Sequence, residues 1–286
     1  MSTPRVSRFI LPKAVFALIL TGLFGRTALA GRQMIEDPGG AMLAFYKSLY
    51  RTENSARPLR TRILHYGDSH VAADIMTGSL RNKFQIGFGA AADPEGRGII
   101  YDALGRNGAR ATDLLSWNWR AMADTLERQN PKLIVIAYGS NEVGDVDLDI
   151  ASYTASFREL LARFRKAAPR ASLLVISPPD RATRVGGRWQ TIPRMPSLVQ
   201  AQRQAALGEG AAFWNLFQAM GGAGSIERWT TAQLAQPDRV HLTRSGYRFV
   251  AEMLYEELMR GYLLRLVADS EYRERAGAAT AVSSGL

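Results

Sequence analysis

Arg62-Ile-Leu-His-Tyr-Gly-Asp-Ser-His70 is a short apolar run that stops at Gly67-Asp68-Ser69-His70. Met76, Leu80 and Phe84 then recur at helical spacing, with Asp74 ahead of them as a candidate cap. A buried strand that ends on a serine and turns into a helix presents the hydroxyl at the rim of a sheet. Ser69 is therefore the candidate nucleophile. A hydroxyl alone is a weak nucleophile at neutral pH, so the chain must also supply a base, an acid to orient it and donors for a developing oxyanion.

Outward from this stretch the pattern repeats. Leu133-Ile-Val-Ile-Ala-Tyr138 and Leu173-Leu-Val-Ile176 are the continuous apolar runs expected of strands covered on both faces. Ile99–Tyr101 and Ala211–Trp214 read as shorter strands. Helical spacing appears in Met42 to Leu49, in Leu115, Trp119, Met122 and Leu126, in Tyr153, Phe157, Leu160, Leu161 and Phe164, in Pro196 to Leu207, and in Tyr247, Val250, Leu254 and Leu258, the last capped by Thr243 or Ser245. Residues 87–98 and the Gly- and Arg-rich 180–193 read as loops, and Gly221 to Gly224 as a flexible break. The alternation predicts an α/β fold, a parallel sheet with helices on both faces. Ligands bind beyond the carboxyl ends of such strands, which brings Ser69 and Asn141 to one rim across 72 positions of chain.

The chain has three histidines, His65, His70 and His241. His241 is the candidate base, because Asp238 stands three positions earlier and can fix the tautomer of the imidazole and offset its charge when protonated. The oxyanion donors are the backbone N–H of Ser69, the backbone N–H of Gly108 and the side-chain amide of Asn141. His65 alternates inward as a core histidine, and Asp68 reads as a structural hydrogen-bonding residue. A metal site made of His65, Asp68 and His70 is disfavoured, since neighbours on a strand point to opposite faces. With no cysteine there is no disulfide framework and no thiolate chemistry. Trp189, in the long polar loop, is the best candidate for stacking on a sugar.

Residues 1–30 have the form of a secretory signal, with basic Arg5, Arg8 and Lys13, an apolar stretch from Ala14 to Gly25, and Ala28-Leu-Ala30 as a small-x-small cleavage site. An uncut anchor is the alternative, although the apolar run is short for a bilayer. Four of the ten net positive charges lie in this leader, and the other arginines are scattered. Nucleic acid is thus a poor expectation and an anionic wall or membrane surface a better one. Residues 31–58 read as a lead-in with a peripheral helix, 59–268 as one catalytic domain and 269–286 as a disordered tail.

Gly67-Asp68-Ser69, Gly108, Gly139-Ser-Asn141 and Asp238-Arg-Val-His241 resemble, in order, the four blocks of the SGNH (GDSL-type) hydrolases, a likeness that spans roughly residues 60–265. The resemblance implies a three-layer α/β/α, flavodoxin-like fold and ester hydrolysis through an acyl-enzyme, with no metal or cofactor. Gly-Asp-Ser-His70 with Asp74 behind it, Tyr138-Gly-Ser-Asn-Glu142, and Phe213-Trp214 before Met220-Gly-Gly222 resemble the peptidoglycan O-acetylesterase branch. That branch takes acetyl from the 6-hydroxyl of N-acetylmuramic acid, which implies an O-acetylated glycan partner and a periplasmic or secreted location. Two departures stand: the 38 residues between Ser69 and Gly108 leave no room for the carbohydrate-binding module of some members, and Glu142 replaces the aspartate common in the wider family. An O-acetyltransferase using the same residues, or a non-catalytic wall-binding protein, are the alternatives.

Overall fold

The computed structural model describes residues 34–55, 59–90 and 96–283, with side chains as far as residue 269. The predicted leader and its predicted cleavage site, Pro58 and part of the predicted 87–98 loop lie outside them. The strands are β1 (Arg60–Gly67), β2 (Gly98–Gly105), β3 (Leu133–Ala137), β4 (Ser172–Ile176), β5 (Ala182–Val185), β6 (Arg188–Thr191) and β7 (Ala212–Trp214). The helices are α1 (Leu43–Asn54), α2 (Ser69–Ala72), α3 (Met76–Phe88), α4 (Trp119–Gln129), α5 (Ile150–Ala167), α6 (Met195–Gly208), α7 (Leu216–Ala219), α8 (Ser225–Thr231) and α9 (Arg244–Ser283).

Five strands form one parallel sheet in the order β2-β1-β3-β4-β7. This is the flavodoxin-like order, and its switch point lies between β1 and β3. Alternation sends successive residues of each strand to opposite cores. Ile63, Leu133, Val135, Leu174 and Ile176 pack with α1, α3 and α9. Leu64, Tyr66, Ile134, Ile136, Leu173 and Val175 pack with α4, α5 and α6. The predicted α/β/α layering is thus what the molecule adopts, and the reason is legible in the two-sided apolar runs.

Three segments differ from their expectation. The helix predicted to be peripheral, α1, is part of the core: Phe45 and Leu49 are fully buried, Phe45 meets Phe84 edge-on, and the Phe45 N–H donates to Ser172 Oγ at 3.0 Å. Glu36, just before it, exchanges backbone hydrogen bonds of 2.8 and 2.9 Å with Phe213 on the edge strand β7. The predicted 180–193 loop contains the antiparallel hairpin β5-β6, turning at Gly186-Gly187. Last, α9 carries helical backbone through the segment read as a disordered tail as far as Ser283, where Ala276, Ala278, Ala279 and Ala281 favour helix.

Candidate active site

The end of β1 admits no side chain where it meets α2. A Cβ on Gly67 would lie 2.2 Å from Val71 Cγ2 and 2.8 Å from the Ala137 carbonyl oxygen. Only glycine lets the chain leave the sheet this close to β3 and start a helix at once. Asp68 caps that helix, its Oδ1 accepting the His70 N–H at 3.0 Å, which bears out its structural reading. Ser69 is the first helical residue, and its N–H has no carbonyl one turn behind it within the helix. Asp74, the predicted cap of α3, acts otherwise: its carboxylate accepts from the Thr77 hydroxyl at 2.6 Å and from Arg81.

Ser69 Oγ stands 3.1 Å from His241 Nε2, although 172 positions separate them. His241 Nδ1 is 2.7 Å from Asp238 Oδ2. The other oxygen of Asp238 accepts the N–H groups of Val240 and His241 at 2.9 and 3.0 Å. Burial alone would raise the Asp238 carboxyl; its bonds to the His241 side chain and to these two N–H groups outweigh that and hold it below the ordinary value. The Nδ1–H of His241 donates to Asp238, leaving Nε2 to accept the serine proton.

The turn carrying these two residues lies outside the five-stranded sheet and is closed by its own backbone, Gln236 N–H donating to the His241 carbonyl at 2.8 Å and Arg239 N–H to the Gln236 carbonyl at 3.1 Å, with side chains adding to the hold. Arg239, between them, has φ 55° and donates to Glu227 Oε1 at 2.7 Å. Its guanidinium lies 4.9 Å from the centre of the Trp189 ring, and Arg184 lies 5.0 Å from the same ring. Trp189 is therefore engaged by two arginines, and its ring packs toward the core instead of offering the free face that a sugar platform needs. The β5-β6 hairpin braces the turn from outside, as does the bond from Ala182 N–H to the Arg239 carbonyl at 3.1 Å.

Gly108 lies in the turn after β2 with φ 72°, a conformation that suits glycine. Two neighbours on the β3 loop hold the adjoining backbone. Asn141 Nδ2 donates to the Ala109 carbonyl at 2.9 Å, and Glu142 Oε1 accepts the Ala111 N–H at 2.8 Å. Asn141 thus spends one amide hydrogen on positioning this turn, which leaves the second available to another acceptor. Glu142, 2% exposed, is pushed up to about 7 by burial against the opposing pull of the Ala111 N–H.

His65 and His70 are buried, as expected for the first. His65 Nδ1 pairs with Tyr101 Oη at 2.8 Å, and burial pushes its pKa down to about 3. His70 Nδ1 pairs with Tyr247 Oη at 3.0 Å, and its ring lies 5.5 Å from that of His241. Arg181, which no sequence motif singled out, donates through Nη1 to the Ser140 carbonyl and stands within electrostatic reach of Asp238 and Asp68. Its place just beyond the carboxyl end of β4 was the available signal.

A serine, a histidine and an aspartate joined in series at the rim of a parallel sheet are the arrangement of α/β serine hydrolases. The GDSL-like lipase/acylhydrolase family matches residues 66–249, and the chain belongs to that family. Among solved structures it is similar to a peptidoglycan O-acetylesterase, at 21% identity and a TM-score of 0.72 over 80% of this chain and 99% of that one. It is also similar to the acetyl xylan esterase AlAXEase, at 16% identity and a TM-score of 0.52 over 68% of this chain and 98% of that one. A lipase/acylhydrolase from Enterococcus faecalis is similar at 18% identity and a TM-score of 0.50, over 69% of this chain and 95% of that one. At these identities the likeness is one of fold. No curated protein sequence matches the chain.

Proposed function

We propose that this protein is an exported serine esterase that removes O-acetyl groups from a cell-wall polysaccharide, with peptidoglycan as the first candidate. The observation that carries the reading is the unbroken series Ser69 Oγ, His241 Nε2, His241 Nδ1 and Asp238 Oδ2, with contacts of 3.1 and 2.7 Å. His241 takes the Ser69 proton as Oγ attacks the acetyl carbonyl, and the Asp238 carboxylate offsets the imidazolium charge. The tetrahedral oxyanion is received by the N–H groups of Ser69 and Gly108 and by the free amide hydrogen of Asn141. Collapse breaks the bond to the sugar oxygen, which leaves with the proton from His241. Water then attacks acetyl-Ser69, His241 again serves as base, and acetate leaves.

The glycan part of the reading is supported by the fold likeness to a peptidoglycan O-acetylesterase and to an acetyl xylan esterase. Export is supported by the leader-like residues 1–30. Acetate released from O-acetylated peptidoglycan is the deciding measurement. Ser69→Ala should lower it by about 10⁶-fold, and release at the wild-type rate by that variant would overturn the mechanism. Repeating the assay with an added glycan acceptor separates hydrolysis from acetyl transfer.

A further inference from the structure

Ser69 opens α2, and one turn later the Ala73 N–H donates to the Ser69 carbonyl oxygen at 3.1 Å. Ala73 is also at the near end of an open groove of ≈ 650 Å³ between α3 and the start of α9. Arg244, on its other wall, is three residues past His241. The groove is thus lined by residues four positions after Ser69 and three after His241, and it runs along the two helices as far as Ile86, which is 76% exposed.

The charges in the groove do not cancel. Its two acids are already engaged, Asp74 by Arg81 at 3.0 Å and Glu252 by Lys83 at 2.5 Å. Arg244 and Arg248, both exposed, have no carboxylate partner among the described residues. They stand four residues apart on one helix face, where like charges repel and weaken the helix. Arg244 also sits at the end of the helix dipole that disfavours a cation, with no acid in that first turn. Among the described residues the nearest acid on this helix, Glu252, is paired with Lys83, whereas a carboxylate reaching both guanidiniums would offset these costs through charge-assisted hydrogen bonds.

We propose that Arg244 and Arg248 bind a carboxylate carried by the polymer whose acetyl ester enters at Ser69. The substrate is then an acidic O-acetylated glycan, in contrast to a neutral one such as acetylated xylan. This rests on the esterase reading above and adds the charge of the substrate to it. Ile86, at the far end, gives the same strand an apolar contact.

The test compares kcat/KM on O-acetylated peptidoglycan with kcat/KM on acetylated xylan, for the wild type and for Arg244→Glu/Arg248→Glu. The ratio of the two should fall by about tenfold in the double variant, since exposed ion pairs are worth a few-fold each, and the loss should lie in KM. Wild-type preference for the acidic substrate should also weaken with added salt. An unchanged ratio, or an equal fall on both substrates, would overturn the proposal. Co-sedimentation of Ser69→Ala protein with de-O-acetylated peptidoglycan separates the two readings. Binding that the double charge reversal abolishes supports the groove even if wild type releases no acetate, an outcome that would sink the esterase reading alone. Retained binding to peptidoglycan, with binding lost only to anionic phospholipid vesicles, would overturn the groove's assignment to a glycan.

Discussion

The two halves of the Ser69–His241 pair are held in opposite ways. Ser69 follows a strand that is buried from Ile63 through Gly67, and its neighbours Asp68 and His70 are 1% and 7% exposed. His241 and Asp238 sit on an open turn, with side chains 38% and 44% exposed. The nucleophile is positioned by the sheet, whose packing leaves it little freedom to move. The base is positioned by a carboxylate with three donors and by Arg239, gripped between Glu227 and Trp189. Such an arrangement makes the position of His241 depend on contacts remote in sequence, Glu227 and Trp189 among them.

The comparison can be broken most severely on the turn itself. His241→Ala should lower acetate release by about 10⁴-fold or more, with little change in melting temperature, because an exposed side chain adds little to the core. A variant that unfolds instead would mean that the turn supports the fold. At the sheet end the balance reverses. Gly67→Ala must displace Val71 or the Ala137 carbonyl, a strain of about 1–3 kcal/mol or more. Its melting temperature should fall and its activity with it, and an unperturbed protein would show that the rim is less tightly packed than these contacts require.

A smaller effect is expected from the hairpin. Trp189→Ala removes the ring beside Arg239 and should reduce kcat several-fold, an interaction of this kind being worth about 0.5–2 kcal/mol. Because the contact orients the turn and touches no substrate, the loss should appear equally on a small aryl acetate and on a polymer. A loss seen only on the polymer would restore Trp189 as a sugar contact.

The most specific effect, one on stability and not on catalysis, is a pH dependence at Glu142. Burial raises its pKa from 4.5 to about 7 in the folded state, so the fold favours the protonated acid. This contribution is fully present below pH 4.5, is lost as pH rises toward 7 and is absent above it. Glu142→Gln, which cannot ionise, should therefore gain in melting temperature relative to wild type between pH 5 and 8. A difference that stays constant over that range would mean that Glu142 is ionised throughout.

Much of this was legible in the residues. The apolar runs at Ile63–Tyr66, Leu133–Tyr138 and Leu173–Ile176 announced strands covered on both faces, and the helical spacing between them announced the crossovers. Asp238 and His241 could be paired because three positions of chain bring their side chains together. Less legible were features made by distant partners. The 180–193 segment is polar and exposed enough to read as a loop, and its two strands form only because each pairs with the other across Gly186-Gly187. The first helix looked peripheral because its spacing does not say what it meets, and Phe84 and Ser172 supply that answer.

By itself the sequence determined the layers and named the candidate reactive groups, because side-chain periodicity and residue chemistry are local properties. It also placed Ser69 and Asn141 on one rim, since the carboxyl ends of parallel strands share a side. Only the tertiary structure decided the strand order, the 3.1 Å approach of Ser69 to His241, the engagement of Trp189 by two arginines, and the use of Asn141 and Glu142 to hold the Gly108 turn. All but the local Arg184–Trp189 contact join residues tens to hundreds of positions apart, and such distances close only when the two cores pack on opposite faces of the sheet.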